Sequence, residues 1–498
     1  MVDAWLIIVT IVVGVVMLAV NIYLFAIYCH PDDLSSGAGW FAKIVVVLAS
    51  AVVWAFVLIL PLDVANSRGE GGGFNMDLFY QIMFILYFVF LVFVLPVTLH
   101  FYETDEERSL IARLCSALLR EIFTLVIVAV LALIAWGLLK TANLSDMIYQ
   151  NAAAFTPSDL ALKTIGQKVF ENRVTYQVPP YLFMIVFLVF LGWFLFVVFG
   201  GIGITALPMD WILDYFYRPQ PRSASEIAER KVALRRRSEE LLVFARRIQG
   251  EAEEREERGE KKGFFKRWGE TRKIKRDEKE LASEMYKLDQ EFEIFEAENA
   301  LSANPIWPVL KLVAGMLFSI ISFMLLLHLL LFVLIVVKGK PASEFLNKAF
   351  VWLEFSVARF ISTILFAALS IYLLFCVIKG NIKFGLRLFF LIKIHPMKLR
   401  QTYMNSFLFN LSLILLCVPA IIHFQIMMFR SYMNLTSGAF LFTTVLQRMK
   451  FFKWFYDSKF FFYAFLAWSV LTFIYLSCKS KDDRMDIKKF IESRKKAK

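Results

Sequence analysis

Pro180 to Leu207 reads PYLFMIVFLVFLGWFLFVVFGGIGITAL, a run with no Asp, Glu, Lys or Arg anywhere in it. Crossing a hydrocarbon core about 30 Å thick takes roughly 20 apolar residues as a helix, because a helix satisfies its own backbone groups where no water can. The run is long enough to span. Its glycines Gly200, Gly201 and Gly203 suit close packing against a neighbouring helix better than they suit phosphate binding. Immediately afterwards the character inverts, since Asp210 to Glu298 holds nearly half of all the charged residues of the chain. A charged soluble arm is therefore set into a membrane body.

Working outward, eight further stretches qualify as spans. They lie near Ala4–Tyr28, Trp40–Leu62, Met76–His100, Ile122–Leu139, Pro308–Val337, Phe355–Ile378, Met404–Phe429 and Phe460–Leu476. The first has no basic residues before it and is too long for the core of a signal peptide, so it reads as a span. Over 498 residues the chain is 59% hydrophobic, well above the roughly 45–50% of soluble domains. The predicted fold class is all-α: a polytopic membrane protein with about nine transmembrane helices and a cytosolic helical hairpin. Its parts are 1–207 with spans one to five, 208–305 as the hairpin, 306–478 with spans six to nine, and 479–498 as a basic cytosolic tail.

Orientation follows from basic residues in short loops, which favour the cytosol. With the N-terminus outside, the cytosolic side receives Arg108, Arg113 and Arg120, the acid-free set Lys379, Lys383, Arg387, Lys393, Lys398 and Arg400, and the Lys-rich tail. Against this, Arg430, Arg448, Lys450 and Lys453 then fall outside. The sequons Asn143-Leu144-Ser145 and Asn434-Leu435-Thr436 fall in loops that the same orientation puts outside, which makes Asn143 and Asn434 candidate glycosylation sites. A third, Asn410-Leu411-Ser412, lies inside a span and is expected to go unused. The five cysteines, Cys29, Cys115, Cys376, Cys417 and Cys478, have no zinc, CxxC or disulfide spacing. Juxtamembrane Cys29, Cys376 and Cys478 read as buried small hydrophobes or as palmitoylation sites.

In the arm, Ser223-Ala224-Ser225-Glu226 reads as a capping box, and Ile227, Leu234, Leu241 and Ile248 then recur every seven residues. A returning arm offers Ile274, Leu281, Met285, Leu288, Phe292 and Phe295. The turn between them, near Gly259 to Gly269, mixes Lys261, Lys262, Lys266 and Arg267 with Phe264, Phe265 and Trp268. Two readings stand: a solvated coiled-coil hairpin, or a docking arm for lipid or a cytosolic protein. The basic segment Asn381 to Lys393 reads as lying on the inner leaflet surface.

The net charge of +12 sits beside apolar spans and not in one groove lined with aromatic stacking platforms, so nucleic acid is not an expected partner. No phosphate loop, HExxH, nucleophile elbow or kinase signature occurs. With five scattered histidines the chain is expected to be no enzyme, with no metal site and no cofactor.

Several segments carry a resemblance. They are His30-Pro31-Asp32-Asp33, Pro61-Leu62-Asp63-Val64-Ala65-Asn66, Phe101-Tyr102-Glu103-Thr104-Asp105-Glu106, Ile394-His395-Pro396-Met397-Lys398, and Met404-Asn405-Ser406-Phe407-Leu408-Phe409-Asn410 followed by Leu413 to Cys417. In these the chain resembles the lipocalin-interacting membrane receptor-like family, also called the limb-region membrane protein family. The resemblance implies nine spans, an outside N-terminus and a large cytosolic loop between spans five and six. It also implies roles as divergent as lipocalin binding and uptake, lysosomal cobalamin export and membrane signalling, so it transfers architecture better than ligand.

Polar groups in lipid are costly and therefore natural functional candidates. Asp63, His328, Glu354, Arg359, His423 and Gln425 map to the outer halves of their spans. They read either as lining an outward-facing cavity, with Asp63 or Glu354 neutralising Arg359, or as interhelical hydrogen-bond glue. Asn21, Asn405, Ser406 and Asn410 lie deeper toward the cytosol, and Pro419 in the same span suggests a kinked or locally opened helix. His30-Pro31 and His395-Pro396 read as helix-ending turns. The closing Lys495-Lys496-Ala497-Lys498 resembles a dilysine retrieval signal, leaving plasma membrane or endomembrane (endoplasmic reticulum, lysosome) open. The leading expectation is a receptor-like protein in the lipid bilayer that takes an outside lipophilic ligand or lipocalin-like carrier and engages cytosolic proteins through residues 223–300. The alternatives are a transporter or channel for a small lipophilic or organic molecule, and a membrane scaffold.

Overall fold

A computed structural model of the chain describes residues 4–30, 33, 40–67, 74–104, 109–149, 168–216, 223–257, 276–277, 279–289, 291–292, 294–296, 299, 306–338, 340–356, 359–384, 402–445 and 449–478. Among the described residues, nine helices are long and apolar enough to cross a membrane. They are α1 (Ala4–Tyr28), α2 (Trp40–Ser67), α3 (Met76–Tyr102), α4 (Leu110–Leu139), α5 (Pro180–Phe216), α7 (Ile306–Leu334), α9 (Arg359–Phe384), α10 (Met404–Met428) and α13 (Phe460–Cys478). Helix α6 (Ala224–Glu257) belongs to the arm. Helices α8 (Phe345–Ser356), α11 (Ser437–Phe440) and α12 (Lys450–Asp457) are short elements between spans. The all-α membrane architecture read from the sequence holds.

The differences have local causes. Span four begins at Leu110, well before Ile122, because the Ser109 hydroxyl accepts from Ala112 N and caps the helix there. Arg113 and Glu121 thereby enter the helix, and with Ala117 they form its one buried stripe. The stretch expected to open span seven at Phe355 is instead the end of α8, and α9 begins at Arg359. Between spans four and five stands a strand pair, β1 (Thr141–Tyr149) and β2 (Lys168–Gln177), antiparallel with Thr141 opposite Gln177. Asn143 therefore lies in a strand and not a free loop. A two-residue pair, β3 (Val336–Val337) and β4 (Lys340–Pro341), follows α7. In α3 the turn Phe90–Val94 widens to a π-turn. Pro96 supplies no N–H and its ring would meet the carbonyl four residues back, a conflict that a wider turn relieves. Helix α10, by contrast, runs through Pro419 without interruption, so the expected local opening there is absent.

The chain divides into two compact units, Met1–Met209 with Leu317–Cys478, and Asp210–Met316 with Lys479–Lys498. In the first, α10 is central: 78% of its most apolar window is buried, against 0% for α4. Helices α5 and α9 cross at backbone contact, since a side chain at Gly203 would strike the Cys376 carbonyl and one at Gly380 the Phe199 carbonyl. That is the small-residue crossing the glycines suggested. Gly192 lets α5 approach Leu416 of α10 in the same way. A ladder of polar pairs sets α9 against α10. It steps from Ser362 to Ser370 to Asn381 on α9 as it steps back from Tyr432, just past α10, to Gln425 and Asn410, at 2.9, 2.9 and 3.2 Å. Aromatic rings fill the remaining space, with Trp193 stacked on Phe461 at 5.1 Å and Phe196 on Phe465 at 5.2 Å.

In the second unit the capping box forms as read: Ser223 Oγ accepts from Glu226 N, and Glu226 Oε2 accepts from Ser223 N. Arg237 of α6 donates to Glu291 and Glu284 at 3.1 Å each, joining α6 to the returning helical residues 279–289 and beyond. Leu234, Ile248 and Phe295 of the apolar seam are buried. The expected turn at Gly259 to Gly269 lies outside the described residues, as do 385–400, which include His395-Pro396 and most of the basic segment, and the tail.

Candidate functional site

At the end where α7 and α10 finish, four of the outer-half candidates, Asp63, His328, His423 and Gln425, are held by neighbouring elements. Asp63 of α2 is buried, and its carboxylate accepts from Tyr80 Oη at 3.1 Å, Gly438 N at 2.8 Å and Ser437 N at 3.3 Å. Glycine at 438 leaves room for the Tyr80 hydroxyl, which a β-carbon there would displace. Asn66, one turn further along α2, donates to Phe74 O and accepts from Phe74 N, closing the connection to α3.

His328 of α7 lies between Phe332 and Phe429, and its Nε2 is 3.0 Å from the Met428 carbonyl. Asn347 of α8 completes the arrangement by donating to that same carbonyl and accepting from Tyr432 N, so its amide substitutes for the backbone partners that the end of α10 lacks. His423 Nδ1 accepts from Trp193 Nε1 at 3.0 Å, and Tyr456 of α12 lies edge-on at 5.0 Å. Gln425 donates to Ser370 at 2.9 Å while its Oε1 is buried without a partner. Glu354 is buried on α8, and Arg359 opens α9 with a side chain outside the described set. The structure thus brings His328 to the end of α10 and His423 to α5 and α12, and joins Asp63 to α3 and α11, with no cation beside it among the described residues. Lys459 closes this end: at φ 57 it ends α12 in a left-handed turn and donates through Nζ to the Val333 carbonyl. Burial pulls its ammonium below the ordinary lysine range.

In the inner half, Asn410 donates to Ser406 O at 2.8 Å and accepts from Asn381 at 3.2 Å. Asn405 folds back on Ser406 N at 2.7 Å. Asn381 Oδ1 and Asn21 Nδ2 are buried with no partner. Asn381, expected at the start of an interfacial basic segment, is instead a buried residue of α9. At the adjoining end, Asp33 accepts from Tyr102 Oη at 2.6 Å and from Met404 N at 2.9 Å. His30 N donates to Thr402 O, and the His30 ring stacks on Tyr403 at 4.6 Å. Cys29 is buried beside them, and burial with the nearby Asp33 carboxylate pushes its thiol up to about 11.

The profile of the LMBR1-like membrane proteins matches residues 6–262 and 264–479. The chain belongs to the LMBR1-like family. A LIMR family protein of Dictyostelium discoideum is 30% identical, covering 97% of this chain and 99% of the relative. One of Oryza sativa is 32% identical and one of Arabidopsis thaliana 30%, each covering 94% of this chain and 95% of the relative. No solved structure matches. Among the described residues, four of the segments that carried the resemblance have a physical role. His30, Tyr102 and Met404 gather around Asp33 at one end, while Asp63 and Asn66 tie down the other. Nothing local to Asp33 in the sequence reveals its partners at Tyr102 and Met404. Among the described residues, no group of three or more His, Cys, Asp and Glu is placed to hold a metal ion.

Proposed function

We propose that this LMBR1-like protein is receptor-like: it takes an extracytosolic ligand or carrier, engages cytosolic proteins through the 223–300 arm, and catalyses no reaction. Its N-terminus faces outside or into a lumen, in the plasma membrane or an endomembrane, and its C-terminus faces the cytosol. The observation that supports this best is the arm. It is long and strongly charged, pinned by Arg237 to Glu284 and Glu291, yet it keeps Val232, Leu242, Val243, Met285, Tyr286 and Phe292 exposed. A helix pair needed only for solubility has no use for that many uncovered apolar side chains. Because the outer-half polar groups are engaged between helices, a ligand on that side meets exposed loop and aromatic surface first.

One observation favours a second reading, a transporter or channel for a small lipophilic or organic molecule. Buried polar atoms at bilayer depth remain unmatched, namely Asn21 Nδ2, Asn381 Oδ1 and Gln425 Oε1. Purified protein in liposomes separates the two. Saturable binding of a lipophilic ligand to one face without flux supports the receptor; flux that is lost in Asn381→Ala, in protein that still folds, supports transport. If neither is found but Val243→Glu with Tyr286→Glu abolishes copurifying partners, a scaffold is the remaining role.

A further inference from the structure

We propose that the end of the bundle where α7 and α10 finish carries a collar that binds anionic phospholipid headgroups, built from the outward faces of α8 and α12. On α8, Lys348, Trp352 and Phe355 share one helical face, with Trp352 63% and Phe355 79% exposed. The opposite face buries Asn347 and Glu354. On α12, Phe452 and Tyr456 point inward, to Phe190 at 4.8 Å and His423 at 5.0 Å, while Phe451 and Trp454 point out, the latter 63% exposed. Each helix has one exposed polar-aromatic face that the described residues leave open.

Chain geometry fixes the depth of these faces. Ser356 lies three residues before Arg359, and Asp457 three before Phe460. A fully extended residue reaches at most about 3.5 Å, so the last residue of each helix lies within about 10 Å of the start of the span that follows it. Tryptophan exposed at that level, on helices of this amphipathic kind, belongs in the headgroup layer.

Charge selects the lipid. Lys338, Lys340, Lys348 and Arg430 are exposed at this end and Lys453 is half-exposed, whereas the acids of the same segments are Glu344, the buried Glu354 and Asp457, which pairs with Lys453 at 3.8 Å. Cations at headgroup depth attract anionic lipid. This also explains why basic residues occur at an end that the loop-charge rule would leave poor in them: they hold headgroups and do not direct topology.

The test uses the full-length protein in nanodiscs of phosphatidylcholine, alone or mixed with phosphatidylglycerol. Native mass spectrometry reads the lipids retained after mild delipidation, and brominated lipid reads tryptophan quenching. Wild type is expected to retain phosphatidylglycerol preferentially. Lys348→Ala with Lys453→Ala is expected to lower that preference about fivefold per cation removed, and Trp352→Phe with Trp454→Phe to reduce quenching. Should the double lysine variant fail to fold, Asp457→Asn provides the opposite sign, with higher phosphatidylglycerol retention. Equal retention of both lipids by wild type, unchanged retention in the folded lysine variant, or quenching indifferent to Trp352 and Trp454 in protein that runs as a dimer would each overturn the collar, the last assigning the face to a second copy.

Discussion

Asp63 is a buried carboxylate near the end of the apolar helix α2. A carboxylate in an apolar span is conspicuous, but its partners Ser437 and Gly438 lie far along the chain and present only backbone N–H groups, which leave no side-chain signature. Asp63→Ala leaves those amides and the Tyr80 hydroxyl buried without an acceptor, at roughly 1–3 kcal/mol for each group left unsatisfied. The expected outcome is a clear loss of thermal stability in mild detergent, with Asp63→Asn intermediate because an amide oxygen can still accept. Cys29 makes a second expectation. With its thiol held near 11, only about a thousandth is thiolate at pH 8, against roughly a quarter for an ordinary thiol near 8.5. Maleimide labelling at pH 8 should therefore reach exposed Cys478 well before buried Cys29. Because the folded pKa is raised, whatever stability Cys29 contributes is intact below pH 9 and declines as pH rises from there through about 11.

At the scale of elements, long apolar runs declared the spans because nothing but a helix survives in lipid, whereas the connections between them obey no such constraint. Hence α10 was legible almost to the residue, while β1 and β2 were not. Their pairing is set by a ladder across a long connection, which leaves little periodic trace in either strand. Helix contacts were legible only where glycine marked them. Gly203→Ala or Gly380→Ala places a methyl group against a backbone carbonyl that cannot move without shifting a whole helix. Overpacking of this kind typically costs about 1–3 kcal/mol, and more where backbone must give, so either variant is expected to lower the yield of monodisperse protein sharply while Gly137→Ala, in open space, does not. In the arm, Glu284 is held below the usual carboxylate range by Lys287 and Arg237. Its contribution is present at neutral pH and fades as pH falls through that lowered value. Arg237→Glu sets three acids against one another, and hydrogen exchange along α6 is expected to rise with little change in α10.

For the whole molecule, the candidate site was legible as a set of polar residues but not as an arrangement. Position along each apolar run gives an expected depth for each group; which helix answers which, as in the α9–α10 ladder or the Asp33 node, depends on contacts between distant segments. The account rests on an odd number of crossings, which puts the two ends of the chain on opposite sides and the 223–300 arm on the side of the C-terminus. Asn434 is exposed at the proposed outer end, so a glycan there would report the same arrangement. The most direct measurement is protease protection in sealed vesicles of three full-length proteins, tagged at Met1, after Gly259 and at Lys498. The expected result is that the second and third tags are cleaved from the cytosolic face and the first only from the other; both termini cleaved from one face would contradict it.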